Sequence, residues 1–494
     1  MPLRPIARSR TWLLPPTLDE LIPADHPARF VGMLVDSLSP AEWAAMGIAA
    51  DGNHLGAPGY DPRALLSVWL YGFMTGVRSS RKLEAACREQ LAYRWLTGWQ
   101  LPDHNTLWRF YQAHREELRQ VLKRTVRTAV HCGLVDLAVQ AVDGSKLVAN
   151  AARTQTLSAA DLEALLQRAE AAIAELEAQN AAGEDGPPVQ LPPELVRAEA
   201  LRKRVRQALA RATTEEAGQA NVTDPEATLM KTRQGTAPAF NAQAVVAPLL
   251  PGNDGGRPAS FLITGTGIAP GTADSAQLLP MIDQAADIVG RSAALTLADA
   301  GYHSGANLAA CAARGQAVAM PEAHERHVKA PYHQTRFSYG AAGDQYRCPE
   351  GNVLPFVGLM TNSRHPGQPP YRVYQAAGAT CQACPAFTAC TINAQGRRLH
   401  ISPYAGDLRR HRAWMATPEA QAGYARRKTL VEPVFGILKE QFGARRVLLR
   451  GVVNVRAEWT LLAVGFNLRS LWRCWVAGRL PQWTSTAACP APAA

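Results

Sequence analysis

Long apolar runs and acids are what this chain lacks most. No stretch approaches the roughly 18 consecutive apolar residues that a membrane-spanning helix needs. The opening MPLRPIARSRTWLLPPTLDE carries basic residues but no secretory apolar core, so the protein is expected to stay in the compartment where it is made. Acids are outnumbered: 41 Asp and Glu face 52 Lys and Arg, for a net charge of +11 and a pI near 9.4. That balance favours a polyanionic partner, nucleic acid before anionic membrane. Nine cysteines in so long a chain argue against a disulfide scaffold and for reduced thiols, some of them candidates for metal. What is present is an ordinary globular composition, 47% apolar and 19% charged. A chain of 494 residues exceeds one hydrophobic core, so about two to four domains are expected.

Taken in order, residues 1–134 read as a helical domain. Tyr60-Asp-Pro-Arg opens a helix with Pro at its first turn, and Ser79 to Cys87 and Asn105 to Gln112 continue at helical spacing. Short helices with Arg-bearing surfaces fit either a helix-turn-helix-like DNA reader or a bundle that only packs on its neighbour. Residues 135–152 change to strand alternation, with Asp143 near the exposed end of the strand and Gly144 allowing a bend. Residues 153–220 form a helical hairpin insert, since Leu162, Leu166, Ala169, Ile173 and Leu176 step by the spacing of a coiled-coil seam. Residues 221–330 resume the sheet. Thr223 to Lys231 reads as a capped turn of helix or loop, and strands follow at 240–247, 260–266, 293–299 and 316–320, with helices Ser275–Val289 and Ala306–Ala313 between the later ones. Together with the strand at 135–148 this predicts an α/β fold around a mixed five-stranded sheet with flanking helices. Residues 331–404 are a loop-rich, strand-poor, cysteine-containing insert with short strand candidates such as Tyr371 to Gln375, 405–478 are closing helices, and 479–494 are expected to be a disordered tail.

The chemistry gathers at three acids. Glu432 follows Lys428 by four residues and precedes Lys439 by seven, so all three project from one side of a helix whose apolar stripe is Leu430, Val434 and Leu438. Arg426, Arg427, Arg445, Arg446 and Arg450 flank it, and from Arg397 to Arg456 there are 13 Lys and Arg against 4 Asp and Glu. Alone, Glu432 is an ion-pair hub, and Asp143 and Asp299 are turn formers. Together they make strand end, strand end and helix, three carboxylates suited to a hard cation such as Mg²⁺ that also accepts phosphate oxygens.

Three blocks carry a resemblance: Ala141-Val-Asp-Gly-Ser-Lys-Leu-Val-Ala-Asn150, Leu297-Ala-Asp-Ala-Gly-Tyr-His-Ser304, and Tyr424-Ala-Arg-Arg-Lys-Thr-Leu-Val-Glu-Pro-Val-Phe-Gly-Ile-Leu-Lys439. They resemble the catalytic blocks of bacterial insertion-sequence DDE transposases, in the branch with a helical N-terminal domain and a Tyr…Arg…Glu…Lys closing helix. Tyr424 and Arg427 stand one residue off the commonest spacing. The resemblance implies an RNase H-like fold, with Asp143, Asp299 and Glu432 as catalytic ligands of two Mg²⁺ (or Mn²⁺) ions. It implies cutting and joining at terminal inverted repeats, double-stranded DNA as partner at both element end and target, a homodimer in the DNA complex, and no membrane partner. Lys439 carries over as a phosphate or terminal-base contact. Lys146, Tyr424, Arg427, Lys428, Arg445, Arg446 and Arg450 are the other expected DNA contacts, and His303 either touches substrate or packs. A bacterial, cytoplasmic, nucleoid-associated location follows from the same resemblance. Two other readings stay open, a nuclease that does not join and an inactive DNA-binding relic or repressor.

Cys381-x2-Cys384-x5-Cys390, with Cys348 upstream, has the ligand types of a structural Cys₄ zinc site. Buried small hydrophobes are the competing reading.

Overall fold

The computed structural model describes residues 17–49, 59–181, 193–214, 218–233, 235–250, 260–322, 330–361, 367 and 369–480. The disorder expected of residues 479–494 therefore falls, from 481 on, outside the described residues. The helices and strands run α1 Pro27–Asp36, α2 Pro40–Ala45, α3 Pro62–Thr75, α4 Ser80–Glu89, α5 Leu91–Leu96, α6 His104–His114, α7 Arg119–His131, β1 Val139–Val148, β2 Thr156–Ser158, α8 Ala159–Ala181, α9 Pro193–Thr214, β3 Gln219–Asn221, β4 Thr228–Thr232, β5 Gly235–Pro248 and β6 Phe261–Ala269. After them come α10 Leu278–Val289, β7 Leu295–Leu297, α11 Gly305–Ala313, β8 Ala317–Ala319, β9 Ser338–Gly340, β10 Gln345–Arg347, β11 Val353–Met360, β12 Tyr371–Gln375, α12 Gly378–Gln382, β13 Arg398–Ile401, α13 Ala405–Met415, α14 Pro418–Glu440 and α15 Val452–Val476. Two compact units result, residues 1–273, 281–293 and 429–494 in one, and 274–280 and 294–428 in the other. No helix among the described residues is long and apolar enough to cross a membrane.

In the first unit β5 is the organising strand, pairing antiparallel with β1, β4 and β6. Its run from Phe240 to Val246 is buried on both faces, which a half-polar strand could not sustain. Helix α15 covers this sheet. Almost every residue from Val455 to Leu471 is buried, and its closest neighbours are α3, α7 and β6. Each fully buried Leu or Val there contributes on the order of 1.5–3 kcal/mol. Polar groups in this core are spent on backbone. Asn467 accepts from Ile263 N–H and donates to Ile263 C=O, both at 2.8 Å, beside the place where the β5–β6 register shifts. Trp459 Nε1 donates to Gln243 C=O at 2.8 Å. The α8–α9 hairpin closes its own small core on Leu162, Val205, Ala208 and Ala212, footed by the β2–β3 ladder, as its seam predicts.

In the second unit β7 and β8 pair in parallel with α11 between them in the chain, the crossover connection that parallel neighbours need. The insert at 331–404 departs from expectation. It holds an antiparallel sheet in the order β13-β12-β11-β10-β9 around Tyr346, Leu354, Tyr374 and Leu399. Three of its strands have four residues or fewer, too short for alternation to register in the sequence. Residues 228–232 are a second correction: they form β4, a hairpin with β5, in place of helix or loop. Strand β4 is one that the expected five did not include, and it pairs with β5, which also pairs with β1 and β6, in the first unit. Asp143 is a third, for it sits within β1 opposite Ala244, and Gly144 continues the ladder opposite Gln243 without a bend.

Candidate active site

In the first unit a cavity of about 710 Å³ opens beside β1, and Asp143 and Glu432 both line it. Strand β1 brings Asp143 there, half-buried between the buried Val142 and Ser145. Helix α14 brings Glu432 there because Leu430, Val431, Val434 and Leu438 are buried on its other side, which leaves the glutamate exposed. Around these acids stand Lys146, Lys231, Arg233, Lys439 and Arg445. Burial pushes the Lys439 ammonium below the usual lysine range, repulsion from Arg233 and Arg445 adds to this, and Asp143 and Glu440 oppose it.

The arginine-rich turn after α14 is stitched onto the same strand. Val148 N–H donates to Arg445 C=O at 3.1 Å and Val447 N–H to Val148 C=O at 3.0 Å, a parallel bridge that extends the ladder beyond β1. Asn150 Nδ2 donates to Leu448 C=O at 2.7 Å, and Arg450 Nε to Asn150 C=O at 2.9 Å. A buried ion pair fastens the turn from behind. Arg78 reaches Glu458 at 2.8 Å and Gly443 C=O at 2.6 Å, while Glu458 accepts from the N–H groups of Leu448 and Leu449. Burial pushes the Glu458 carboxyl up, and Arg78 with those amides pulls it back.

The second unit holds the other predicted residues. Asp299 follows β7 directly and caps the next turn, accepting from Gly301 N–H at 2.8 Å. Arg427 approaches its other oxygen at 3.7 Å. Tyr424 is half-buried and Lys428 exposed on α14. The His303 ring lies 6.0 Å from His411, whose Nε2 is 2.9 Å from Met320 C=O, so His303 belongs to a packed pair.

Cys348, Cys381, Cys384 and Cys390 all line one cavity of about 20 Å³ under the insert sheet, packed with Leu354 and Phe387. Asn352 N–H donates to Cys348 Sγ at 3.2 Å and Arg397 N–H to Cys381 Sγ at 3.4 Å. The donor types suit Zn²⁺. Their arrangement does not complete the match, since no group of three or more His, Cys, Asp or Glu among the described residues is placed to hold a metal ion. What the four visibly do is pack.

Three contributors escaped the sequence: Lys231 within β4, Arg233 on the turn after it, and the Arg78–Glu458 pair. The turn had a signal, because Gly235 adopts φ +107°, a glycine conformation that punctuates a hairpin. The pair had none, as its members are 380 positions apart.

A mixed α/β fold carrying carboxylates in a cation-lined cavity defines a class, proteins that handle a polyanion at an acidic centre. The comparisons narrow it. Residues 347–472 match the family model described as Transposase DDE domain, and residues 16–113 match Transposase domain (DUF772). Two separate stretches of the chain thus match transposase family models, and together these matches indicate an insertion-sequence DDE transposase. The first match contains Glu432, Lys439 and the arginine turn, whereas Asp143 and Asp299 lie outside it. No curated protein matches the chain.

Proposed function

We propose that this transposase binds the terminal inverted repeats of its own insertion sequence as a homodimer, cuts the DNA there and joins the freed 3′-OH to target DNA. The observation that carries the reading is the convergence of Asp143 and Glu432 on one cavity lined by Lys146, Lys231, Arg233, Lys439 and Arg445. Acids to hold cations and bases to hold phosphates are the two requirements of phosphoryl transfer, and they rarely share a wall otherwise. By donor chemistry Asp143, Asp299 and Glu432 would hold two Mg²⁺ or Mn²⁺ ions, all-oxygen donors of the kind those cations prefer; Asp143 and Glu432 share a cavity, while no group of three such residues among the described residues is already placed to hold a metal ion. Such ions, when bound, would polarise the scissile phosphate and both of its reacting oxygens. Lys439, half-desolvated among cations, gains by meeting a phosphate, because the anion restores the environment its ammonium lacks. Arg445 and Lys146 neutralise the neighbouring backbone. In the joining step a P–O bond forms to the attacking 3′-oxygen as the target's own P–O3′ bond breaks, so bonds balance and no energy source is required.

Strand-transfer assays with Mg²⁺ on DNA flanking the reading frame test this. Joined products are expected, and Asp143→Asn and Glu432→Gln each lower their rate by more than about a hundredfold, beyond what loss of an outer-sphere partner costs. DNA affinity holds or rises in both variants, since each removes a negative charge facing phosphate. Hydrolysis without joining points to a nuclease. Binding without cleavage, unchanged by Asp299→Ala, points to a relic or repressor.

A further inference from the structure

We propose that α6 is the helix that reads base sequence, with Asn105 and Arg109 as its specificity-determining residues. This rests on the transposase reading above and names the element that would give it sequence preference. Helix α6 buries Leu107, Phe110 and Tyr111 and turns Asn105, Trp108 and Arg109 outward, one face at i, i+3 and i+4. Between His104 and His114 it has no carboxylate. Neither Asn105 nor Arg109 has a side-chain hydrogen bond or ion pair within the chain among the described residues, whereas the helix beneath them is tightly seated. Asp103 caps its first turn, Glu84 of α4 accepts from His104 N–H at 3.2 Å and lies 2.7 Å from His104 Nδ1, and Leu107 C=O accepts from Trp69 Nε1 at 3.0 Å. The Trp108 ring stacks on Tyr111 with centroids 5.6 Å apart and is still 36% exposed.

A rigid helix that presents an unengaged amide in its first turn and an unengaged guanidinium one turn later fits the major groove. Asn pairs bidentately with adenine N6 and N7, and Arg with guanine O6 and N7. Helices that read DNA place their N-terminal residues against base edges in this way. On adjacent α4, Arg81 and Lys82 are exposed and placed for backbone contact, which positions without specifying. Charge favours a polyanion over a protein occupant, since the outward face of α6 carries no acid of its own and exposed Arg81 and Lys82 stand on α4, while Asp103 is engaged in capping the helix.

The test is in vitro selection with the full chain from a duplex library with a random central segment. Wild type is expected to return a consensus that contains adenine and guanine positions. Asn105→Ala should lose preference at one adenine and Arg109→Ala at one guanine, each weakening the consensus duplex by roughly 5- to 150-fold, with scrambled duplex unaffected. Arg81→Ala should weaken both duplexes alike. If both α6 variants return the unaltered wild-type consensus, the α6 assignment fails while the transposase reading stands. If wild type returns no consensus, sequence recognition falls with it, although cleavage assays still judge the chemistry. If the α6 variants instead change sedimentation and not selection, the face is a contact between copies and the proposal is overturned.

Discussion

Arg78 and Glu458 meet at 2.8 Å with side chains only 8% and 2% exposed. Two desolvated charges rarely add net stability, so their value lies in what else they bind. Arg78 spans Gly443 C=O and Arg446 C=O, and Glu458 takes the N–H groups of Leu448 and Leu449, so together they fix a turn whose outer side carries Arg445 and Arg446. Arg78→Leu leaves Glu458 buried without its cation, and the expected loss is about 3–5 kcal/mol. The pH dependence has a definite sign. Burial raises the folded-state value of Glu458 above its unfolded value, and losing Arg78 raises it further. The folded state then binds the extra proton, so stability in the variant is greatest below the ordinary glutamate range and falls as pH rises through the raised value. Denaturation at pH 5 and pH 8 checks this. The variant should lose more at pH 8, and equal losses would mean that Glu458 is not charged in the native protein. Glu458→Gln in the same background should recover part of the pH 8 loss.

At the scale of elements, glycines on helices α15 and α14 face opposite circumstances. A Cβ on Gly465 would stand 2.7 Å from the carbonyl of Phe73 and 2.9 Å from Met74 N, so α3 and α15 approach as closely as they do because there is none. Gly465→Ala must push backbone apart and should cost about 1–3 kcal/mol. On α14 a Cβ at Gly436 meets nothing within 4 Å. Gly436→Ala should therefore stabilise by about 0.5–1 kcal/mol, the ordinary helical gain. Thermal or denaturant midpoints of the two variants should move in opposite directions, and a shared direction would show that α15 does not cross α3 this closely. The same elements show where sequence was informative. Helix α14 was legible because its stripe runs several turns, long enough for period to beat accident, and Leu430, Val434 and Leu438 are indeed buried. Strand β1 was legible by its alternation and β5 and β6 by the strand pattern that resumes after the hairpin, but the ends were not, and so Asp143 was expected near an end and lies within a ladder. Of the insert sheet, Tyr371–Gln375 was legible as a strand and is β12, but the rest was not, for a physical reason. Its β11 leaves Phe356, Val357 and Leu359 exposed, so alternation between faces never becomes alternation between residue types. Asp143 and Glu432 stand out as acids of interest by their context, whereas Lys231 and Arg233 reach the same cavity only through a hairpin whose first arm, to Lys231, reads in the sequence as a turn of helix or a loop.

For the molecule as a whole, the question is where its +11 charge acts. A uniform excess would attract DNA to any face, while a concentrated one selects an orientation. The sequence concentrates it, with 13 Lys and Arg against 4 Asp and Glu between residues 397 and 456. The α8–α9 hairpin also exposes cations, Lys203 and Arg204 among them, but offsets them with acids such as Glu170, which pairs with Arg206 at 2.5 Å. Each phosphate neutralised releases counterions, so the slope of log affinity against log salt counts contacts without reference to sequence. A chain using 6–10 such contacts should lose about 10³–10⁵ in affinity between 50 and 200 mM salt. Replacing both Arg445 and Arg446 by Ala should lower the slope by about two, one contact for each. Replacing both Lys203 and Arg204 by Ala should leave it unchanged, because the hairpin lies outside the cavity where Asp143 and Glu432 meet Arg445. Fluorescence anisotropy on one duplex across that salt range distinguishes the cases. If the hairpin variant flattens the slope and the turn variant does not, DNA approaches over α9, and the basic turn beside Asp143 serves only to hold the fold together.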